Sequence, residues 1–127
     1  MVERPFEELR GRRLLVVEDD YGIANDMARF LEDAGAEVVG PAGTVEDALE
    51  LVESEATALD AAALDINLHG ERVYPVADAL AARGVPFVFA TGYDAQVIPE
   101  AYVGVPRLEK PVDKAQLARA LAGCLGR

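Results

Sequence analysis

The feature that most constrains the fold is a repeated alternation of short β-rich runs with longer stretches of helical spacing. The β-rich runs cover residues 14–17, 37–39, 61–64, 87–89 and 105–108. In most of the intervening stretches, apolar residues recur three and four positions apart, which is the period of an amphipathic helix. This alternation predicts an α/β domain with a doubly wound, five-stranded parallel sheet, right-handed crossovers and helices on both faces.

Local signals refine this prediction. Asp20, Thr44 and Asp113 stand where helices are expected to begin, and their side chains can cap the first backbone N–H groups. Residues 95–104 contain Pro99 and Gly104 and show no sustained helical period. We therefore expect the fourth helix to be short or disordered, residues 1–11 to form an N-terminal extension, and residues 12–127 to form one domain.

Composition excludes several classes of partner. The chain has 127 residues, 51% of them apolar, and carries a net charge of −11, which disfavours binding to nucleic acid or to anionic membrane surfaces. Its single cysteine, Cys124, cannot form an internal disulfide, and no apolar stretch approaches the roughly 20 residues of a membrane span. The charged N-terminal residues do not resemble a secretory signal, so we expect a cytoplasmic protein.

Polar side chains follow four of the predicted strands at the point where each apolar run ends. Glu18 and Asp19 follow the first run, Asp65 the third, Thr91 the fourth and Lys110 the fifth. Because the carboxyl ends of parallel strands meet at one edge of the sheet, where open α/β sheets bind ligands, we expect one site there. Each residue alone is more often structural or solvated than catalytic, so the prediction rests on their conjunction.

Three neighbouring carboxylates at that edge predict a bound divalent cation, since like charges held close together are costly unless a cation shares them. Oxygen ligands from Glu18, Asp19 and Asp65, with the backbone carbonyl of Asn67, favour Mg²⁺ or Mn²⁺. Beside such a cation and a lysine, Asp65 can act as a nucleophile toward phosphorus. The Lys110 ammonium and the Thr91 hydroxyl would then stabilise the transferred phosphoryl oxygens.

Over about residues 12–126, the chain resembles the CheY-like receiver domains of two-component response regulators. The resemblance rests on Leu-Val-Val-Glu-Asp-Asp at residues 15–20, Leu-Asp at 64–65, Thr91 and the Lys-Pro pair at 110–111. It implies a flavodoxin-like sheet of order 2-1-3-4-5. It also implies Mg²⁺ at Glu18 and Asp19, transfer of phosphate from a kinase phosphohistidine to Asp65, and a readout through Thr91 and Lys110.

The segment Phe-Ala-Thr-Gly-Tyr at residues 89–93 further resembles the single-domain "FAT GUY" receivers. Typical receivers have Met-Pro soon after the phosphoacceptor and an aromatic residue three positions before the lysine, whereas this chain has Leu68-His69 and Arg107. We therefore expect the signal to travel by ordering of residues 92–104 rather than by an aromatic rotamer. The resemblance also implies that Asn67 and Tyr93 tune phosphoryl loss. His69, the only histidine, is interpreted as a loop residue near the site rim.

The sequence thus predicts a stand-alone response regulator that is not an enzyme beyond its own phosphotransfer and autodephosphorylation. Its expected partner is a sensor histidine kinase or a phosphotransfer protein, and it would signal by protein contact or serve as a phosphate sink. One alternative is a receiver-like module that binds partners without being phosphorylated. Another is a small-molecule phosphohydrolase, but those related to haloacid dehalogenases need an acid-base aspartate where this chain has Asn67.

Overall fold

A five-stranded parallel sheet forms the centre of the protein in a computed structural model that describes residues 6–55, 58–92 and 98–125. The strands, in chain order, are β1 (Arg13–Val17), β2 (Glu37–Ala42), β3 (Ala61–Asp65), β4 (Asn67–Leu68), β5 (Glu71–Arg72), β6 (Phe87–Thr91) and β7 (Arg107–Glu109). The main sheet has the order β2-β1-β3-β6-β7, and all its pairings are parallel. Strands β4 and β5 form a separate two-stranded sheet, so β6 and β7 are the fourth and fifth strands of the main sheet. The predicted fold class and the predicted order 2-1-3-4-5 are therefore confirmed.

Helices cover both faces of this sheet. They are α1 (Tyr21–Asp33), α2 (Val45–Glu55), α3 (Tyr74–Ala82) and α4 (Lys114–Leu125). Successive residues of a strand point to opposite faces, so Leu15 and Val17 pack with α2 and α3, while Leu14 and Val16 pack with α1 and α4. The sheet thus lies between two apolar layers, and the polar side chains at its carboxyl edge extend from buried strands.

The predicted caps form at the starts of three helices. The Ile23 N–H donates to Asp20 Oδ1 at 3.0 Å, and the Asp47 N–H donates to Thr44 Oγ1 at the same distance. Asp113 Oδ1 accepts two backbone N–H bonds in the first turn of α4. Each carboxylate or hydroxyl satisfies an N–H group that has no partner within its helix, which defines where the helix begins.

The connection from β6 to β7 contains no α-helix in its described part, residues 98–106. A single 3₁₀ turn, Glu100–Tyr102, is present there, as expected for a segment in which Pro99 and Gly104 interrupt the helical pattern. Residues 93–97 lie outside the described residues. Strand β7 begins at Arg107, later than the predicted residue 105, and the Phe89 N–H pairs with the Pro106 carbonyl at its start.

Two features were absent from the sequence prediction. One is the antiparallel hairpin of β4 and β5, which lies directly after β3. The other is the packing of the predicted N-terminal extension, whose described part forms a 3₁₀ turn, Glu7–Leu9. Leu9 is fully buried with residues of α1 and α4, and the Phe6 ring lies edge-on to Phe30. This part of the extension therefore contributes to the core.

Candidate functional site

The carboxyl edge of the sheet carries the polar residues that the sequence singled out. Glu18 follows β1, and its N–H donates to the Ala42 carbonyl, which fixes the backbone there. Asp65 is the last residue of β3, and Thr91 is the last residue of β6. Glu18, Asp65 and Thr91 are only 3–4% exposed. Polar side chains buried this deeply at strand ends indicate a site rather than a solvated surface.

Three carboxylates and one ammonium group meet at this edge. Glu18, Asp19 and Asp65 each offer an oxygen within 4.8 Å of the others. Lys110 Nζ lies 2.9 Å from Asp65 Oδ2 and 3.2 Å from Glu18 Oε1. One ammonium cannot balance three ionised carboxylates, so the cluster has an excess of negative charge when all its groups are charged.

Backbone N–H groups hold individual carboxylate oxygens in place. The Asp20 N–H donates to Glu18 Oε2 at 3.0 Å, and the Asn67 N–H donates to Asp65 Oδ1 at 3.3 Å. Glu18 Oε1 is buried and has no hydrogen-bond partner among the described residues, although it lies close to the Lys110 ammonium. It is costly to bury an oxygen that has no hydrogen bond. A cation bound at Glu18 Oε1 would offset that cost.

The pKa values reflect this crowding. Burial raises the pKa of Glu18 to about 7, and burial also raises the pKa of Asp65 despite the opposing hydrogen bond from Lys110. Burial alone would lower the pKa of Lys110, but the hydrogen bond and charge of Asp65, together with Glu18, raise it. For Asp19, burial is outweighed by hydrogen bonds, chiefly from the His69 N–H, and the pKa is lowered. A positive ligand would therefore relieve the cost of ionising Glu18 and Asp65 together.

Thr91 lies at the site, but its hydroxyl is not directed at Asp65. Thr91 Oγ1 donates to the Gly92 carbonyl at 3.0 Å, while the Lys110 N–H donates to the Thr91 carbonyl at 2.9 Å. A backbone hydrogen bond therefore holds Thr91 and Lys110, two of the predicted site residues, next to each other. The Asn67 backbone is also at the site through its bond to Asp65. Tyr93 lies outside the described residues.

His69 lies in a loop at the edge of the acidic cluster and contacts one of its carboxylates. It occupies the turn between β4 and β5, and its N–H donates to Asp19 Oδ2 at 2.9 Å. The contact joins residues 50 positions apart, so no local pattern in the sequence predicts it. The signal that was available is the His-Gly pair at residues 69–70, because glycine is common in two-residue hairpin turns.

Solved structures of similar proteins have this fold over nearly the whole chain. SdrG from Sphingomonas melonis Fr1 is 43% identical, with a TM-score of 0.78, and the match covers 91% of this chain and 97% of that one. A response regulator receiver protein from Sinorhizobium medicae is 25% identical, with a TM-score of 0.75 over 93% and 97% of the two chains. The chain belongs to the receiver domains of response regulators.

Other relatives of this receiver domain are longer proteins. The response regulator PhyR from Brucella abortus is 27% identical, with a TM-score of 0.75; the match covers 94% of this chain but 51% of that one. The transcriptional regulatory protein PdtaR from Mycobacterium tuberculosis is 30% identical over 90 residues. This chain spans 43% of the length of PdtaR, less than half of the curated relative. No family model matches the sequence.

The family assignment places this receiver among the response regulators of two-component signalling. Receiver domains bind Mg²⁺ through acidic residues, and the cluster of Glu18, Asp19 and Asp65 has the composition for this. None of the helices in the described part of the chain is both long enough and apolar enough to cross a membrane.

Proposed function

We propose that this receiver accepts a phosphoryl group on Asp65 from the phosphohistidine of a sensor kinase or phosphotransfer protein. The observation that carries the proposal is the 2.9 Å contact between Lys110 Nζ and Asp65 Oδ2 inside a cluster with two further carboxyl groups, those of Glu18 and Asp19. A purely structural ion pair would need no further carboxylates, whereas phosphoryl transfer needs a cation, a nucleophile and a positive side chain together.

The donor set fits a divalent cation of the magnesium type. We assign Glu18, Asp19, Asp65 and the Asn67 backbone carbonyl as its ligands, because all four groups offer oxygen. The buried Glu18 Oε1, which lacks a hydrogen bond among the described residues, supports this assignment. Two positive charges would balance the charge that Lys110 leaves uncompensated. When bound, the cation neutralises negative charge on the phosphoryl oxygens during transfer.

In the proposed reaction, an Asp65 carboxylate oxygen attacks phosphorus and the bond from phosphorus to the histidine nitrogen breaks. The electron pair of that bond returns to the imidazole of the donor protein. Lys110 keeps one Asp65 oxygen oriented and then offsets charge on the phosphoryl group. To donate to a phosphoryl oxygen, the Thr91 hydroxyl would have to give up its bond to the Gly92 carbonyl.

Signal output is proposed to follow from this rearrangement. The Thr91 hydroxyl donates to the Gly92 carbonyl at the start of residues 92–104, so loss of this bond would release the first residue of that segment. We propose that phosphorylation changes the order of residues 92–104 around the turn at Tyr102, which is already packed, and thereby creates or removes a protein-binding surface, or that the domain serves as a phosphate sink. Hydrogen exchange of residues 92–104 that is unchanged by phosphorylation would contradict the first of these outputs.

We propose that residues 12–127 form the receiver, with residues 1–11 as its N-terminal extension, and that it acts in the cytoplasm. Assignment to the single-domain "FAT GUY" subgroup is supported by the Phe-Ala-Thr-Gly-Tyr segment and by Arg107, which is exposed at the start of β7. The partner would be a kinase or phosphotransfer protein rather than nucleic acid or a membrane.

Intact-mass measurement after incubation with Mg²⁺ and acetyl phosphate tests the phosphoacceptor. We expect one phosphoryl adduct on the wild type and none on Asp65→Ala. Asp33→Ala is the matched control, because Asp33 is an exposed aspartate at the end of α1, and it should be modified like the wild type. If the wild type gains no adduct from acetyl phosphate or from candidate kinases, the phosphorylation-independent binding module replaces this proposal.

A further inference from the structure

The turn at His69 and Gly70 has a left-handed backbone at both residues. Strands β4 and β5 pair Leu68 with Glu71, so only these two residues connect them. Both have positive φ, 51° at His69 and 88° at Gly70, as two-residue hairpin turns of type I′ require. Glycine adopts such values freely, whereas a histidine there is uncommon and has a conformational cost. The surrounding structure must therefore hold the turn.

The hairpin is anchored to the core at both ends. Leu68 and Val73 are almost fully buried, and the Val73 N–H donates to the Ile66 carbonyl at 2.9 Å. Within the turn, the Gly70 N–H donates to Asn67 Oδ1 at 2.9 Å. These contacts fix the position of the His69 backbone relative to the end of β3, where Asp65 lies.

The turn contacts the acidic cluster through one oxygen of Asp19. The His69 N–H donates to Asp19 Oδ2 at 2.9 Å, and the His69 ring nitrogen Nδ1 lies 3.5 Å from the same oxygen. The ring is 75% exposed, whereas the backbone N–H is fixed by the hairpin. The turn after β3 thereby restrains the Asp19 carboxylate, which follows β1. Both contacts are to the Oδ2 oxygen.

We infer that the His69-Gly70 turn is a positioning element that orients the Asp19 carboxylate for a divalent cation, and that the backbone N–H of His69 rather than its ring makes the decisive contact. This inference rests on the proposed cation site. A carboxylate that is already oriented loses less conformational freedom when it binds, so the cation binds more tightly.

Gly70→Ala tests the role of the turn. No atom lies within 4 Å of the position of an added Cβ, so the substitution acts through the strained φ of 88° and not through a clash. Gly84→Ala is the matched control, because Gly84 also has positive φ, 73°, and open space but follows α3 away from the cluster. We expect calorimetric Mg²⁺ titration to show about tenfold weaker binding for Gly70→Ala, the lower end of the usual effect of losing a group that orients a metal ligand. Binding by Gly84→Ala should match the wild type.

His69→Gly separates the backbone contact from the ring. Glycine retains the N–H and adopts positive φ without strain, so Mg²⁺ affinity should stay close to that of the wild type. If His69→Gly weakens binding as much as Gly70→Ala does, the ring is the orienting group and the inference is wrong. Wild-type affinity in Gly70→Ala would also overturn it.

Amide hydrogen exchange of the His69 N–H, measured without divalent cations, tests the positioning contact independently of cation binding. We expect the His69 N–H to be protected in the wild type and to exchange faster in Asp19→Ala, because its acceptor is removed. An unprotected His69 N–H in the wild type would refute the positioning contact. A protected N–H in a wild-type protein that does not bind Mg²⁺ would refute the cation site and with it the inferred purpose of the turn.

Discussion

Two partly buried contacts to carboxylates in this molecule differ in charge balance. At the carboxyl edge of the sheet, Lys110 contacts Asp65 and Glu18, and a buried oxygen of Glu18 has no hydrogen bond among the described residues. Beside α3, the Tyr102 hydroxyl donates to Asp78 Oδ1. The first contact joins one ammonium to two carboxyl groups whose pKa values are raised by burial, whereas the second joins a neutral donor to one carboxylate.

The surroundings of the second contact are aromatic. Tyr102 stacks on Tyr74, with ring centroids 6.0 Å apart and planes at 13°, and lies edge-on to Phe87 and Phe89. These four rings fasten the 3₁₀ turn between β6 and β7 to the sheet and to α3. Aromatic pairs of this kind add to the stabilisation that burial alone provides.

The comparison suggests that the carboxylate cluster serves ligand binding, whereas the aromatic contact serves stability. An incompletely paired cluster of buried carboxylates reduces stability unless a ligand supplies positive charge, as the raised pKa values of Glu18 and Asp65 indicate. The aromatic contact needs no ligand because its polar atoms are paired with each other. The two regions should therefore respond differently to Mg²⁺, and substitutions in each can test this contrast.

The largest expected effect is that of Tyr102→Ala. Truncation of a large buried aromatic side chain removes its ring contacts and leaves a cavity, and such changes typically cost about 3–5 kcal/mol. We expect urea denaturation to show this loss equally in chelator and in Mg²⁺. Val103→Ala is the control, because the neighbouring Val103 is 61% exposed and should cost little. A loss under Mg²⁺ much smaller than that in chelator would mean that the two regions are coupled.

A smaller effect is expected for Lys110→Met in chelator. The variant leaves the carboxylates of Asp65 and Glu18 without their ammonium partner, and removal of one partner from a buried polar contact costs about 1–3 kcal/mol. The variant should gain more stability from Mg²⁺ than the wild type does, because the cation then meets a more negative cluster.

Lys114→Met provides the control for this variant, since Lys114 is an exposed lysine at the start of α4. Urea titrations of the wild type and both variants, each with and without Mg²⁺, give the six values needed. If Mg²⁺ raises the free energy of unfolding of Lys110→Met and Lys114→Met by the same amount, the charge at the sheet edge does not govern cation binding. The proposed difference between the two regions would then be wrong.

The sequence could predict where the site residues lie but not how each side chain is directed. The strands and the positions of Glu18, Asp65, Thr91 and Lys110 were predictable, because apolar period and strand ends are local properties that a parallel topology brings to one edge. The direction of the Thr91 hydroxyl was not predictable, because a side-chain torsion depends on neighbours that periodicity does not specify.

The aromatic region was missed for a related reason. Residues 95–104 look featureless because Pro99 interrupts the helical period, yet Tyr102 in this segment meets rings from α3 and β6. Such contacts join residues far apart in sequence, and a single aromatic residue in a non-periodic stretch gives no indication of its partners. The hairpin of β4 and β5 was missed because strands of two residues are too short for any period to show.

The smallest expected effect isolates the Tyr102 hydroxyl. Tyr102→Phe keeps the rings packed and removes only the bond to Asp78, which should cost about 1 kcal/mol at neutral pH. Burial and the Asp78 carboxylate raise the pKa of Tyr102 to about 12, above the ordinary value of 10.0. Its contribution is therefore complete below pH 10 and is lost as the pH rises through 12. Urea denaturation of both proteins should show the stability gap closing between pH 10 and 12, because other groups titrate alike in both. A constant gap would mean that the phenol stays solvated and that the second contact, too, is incompletely formed.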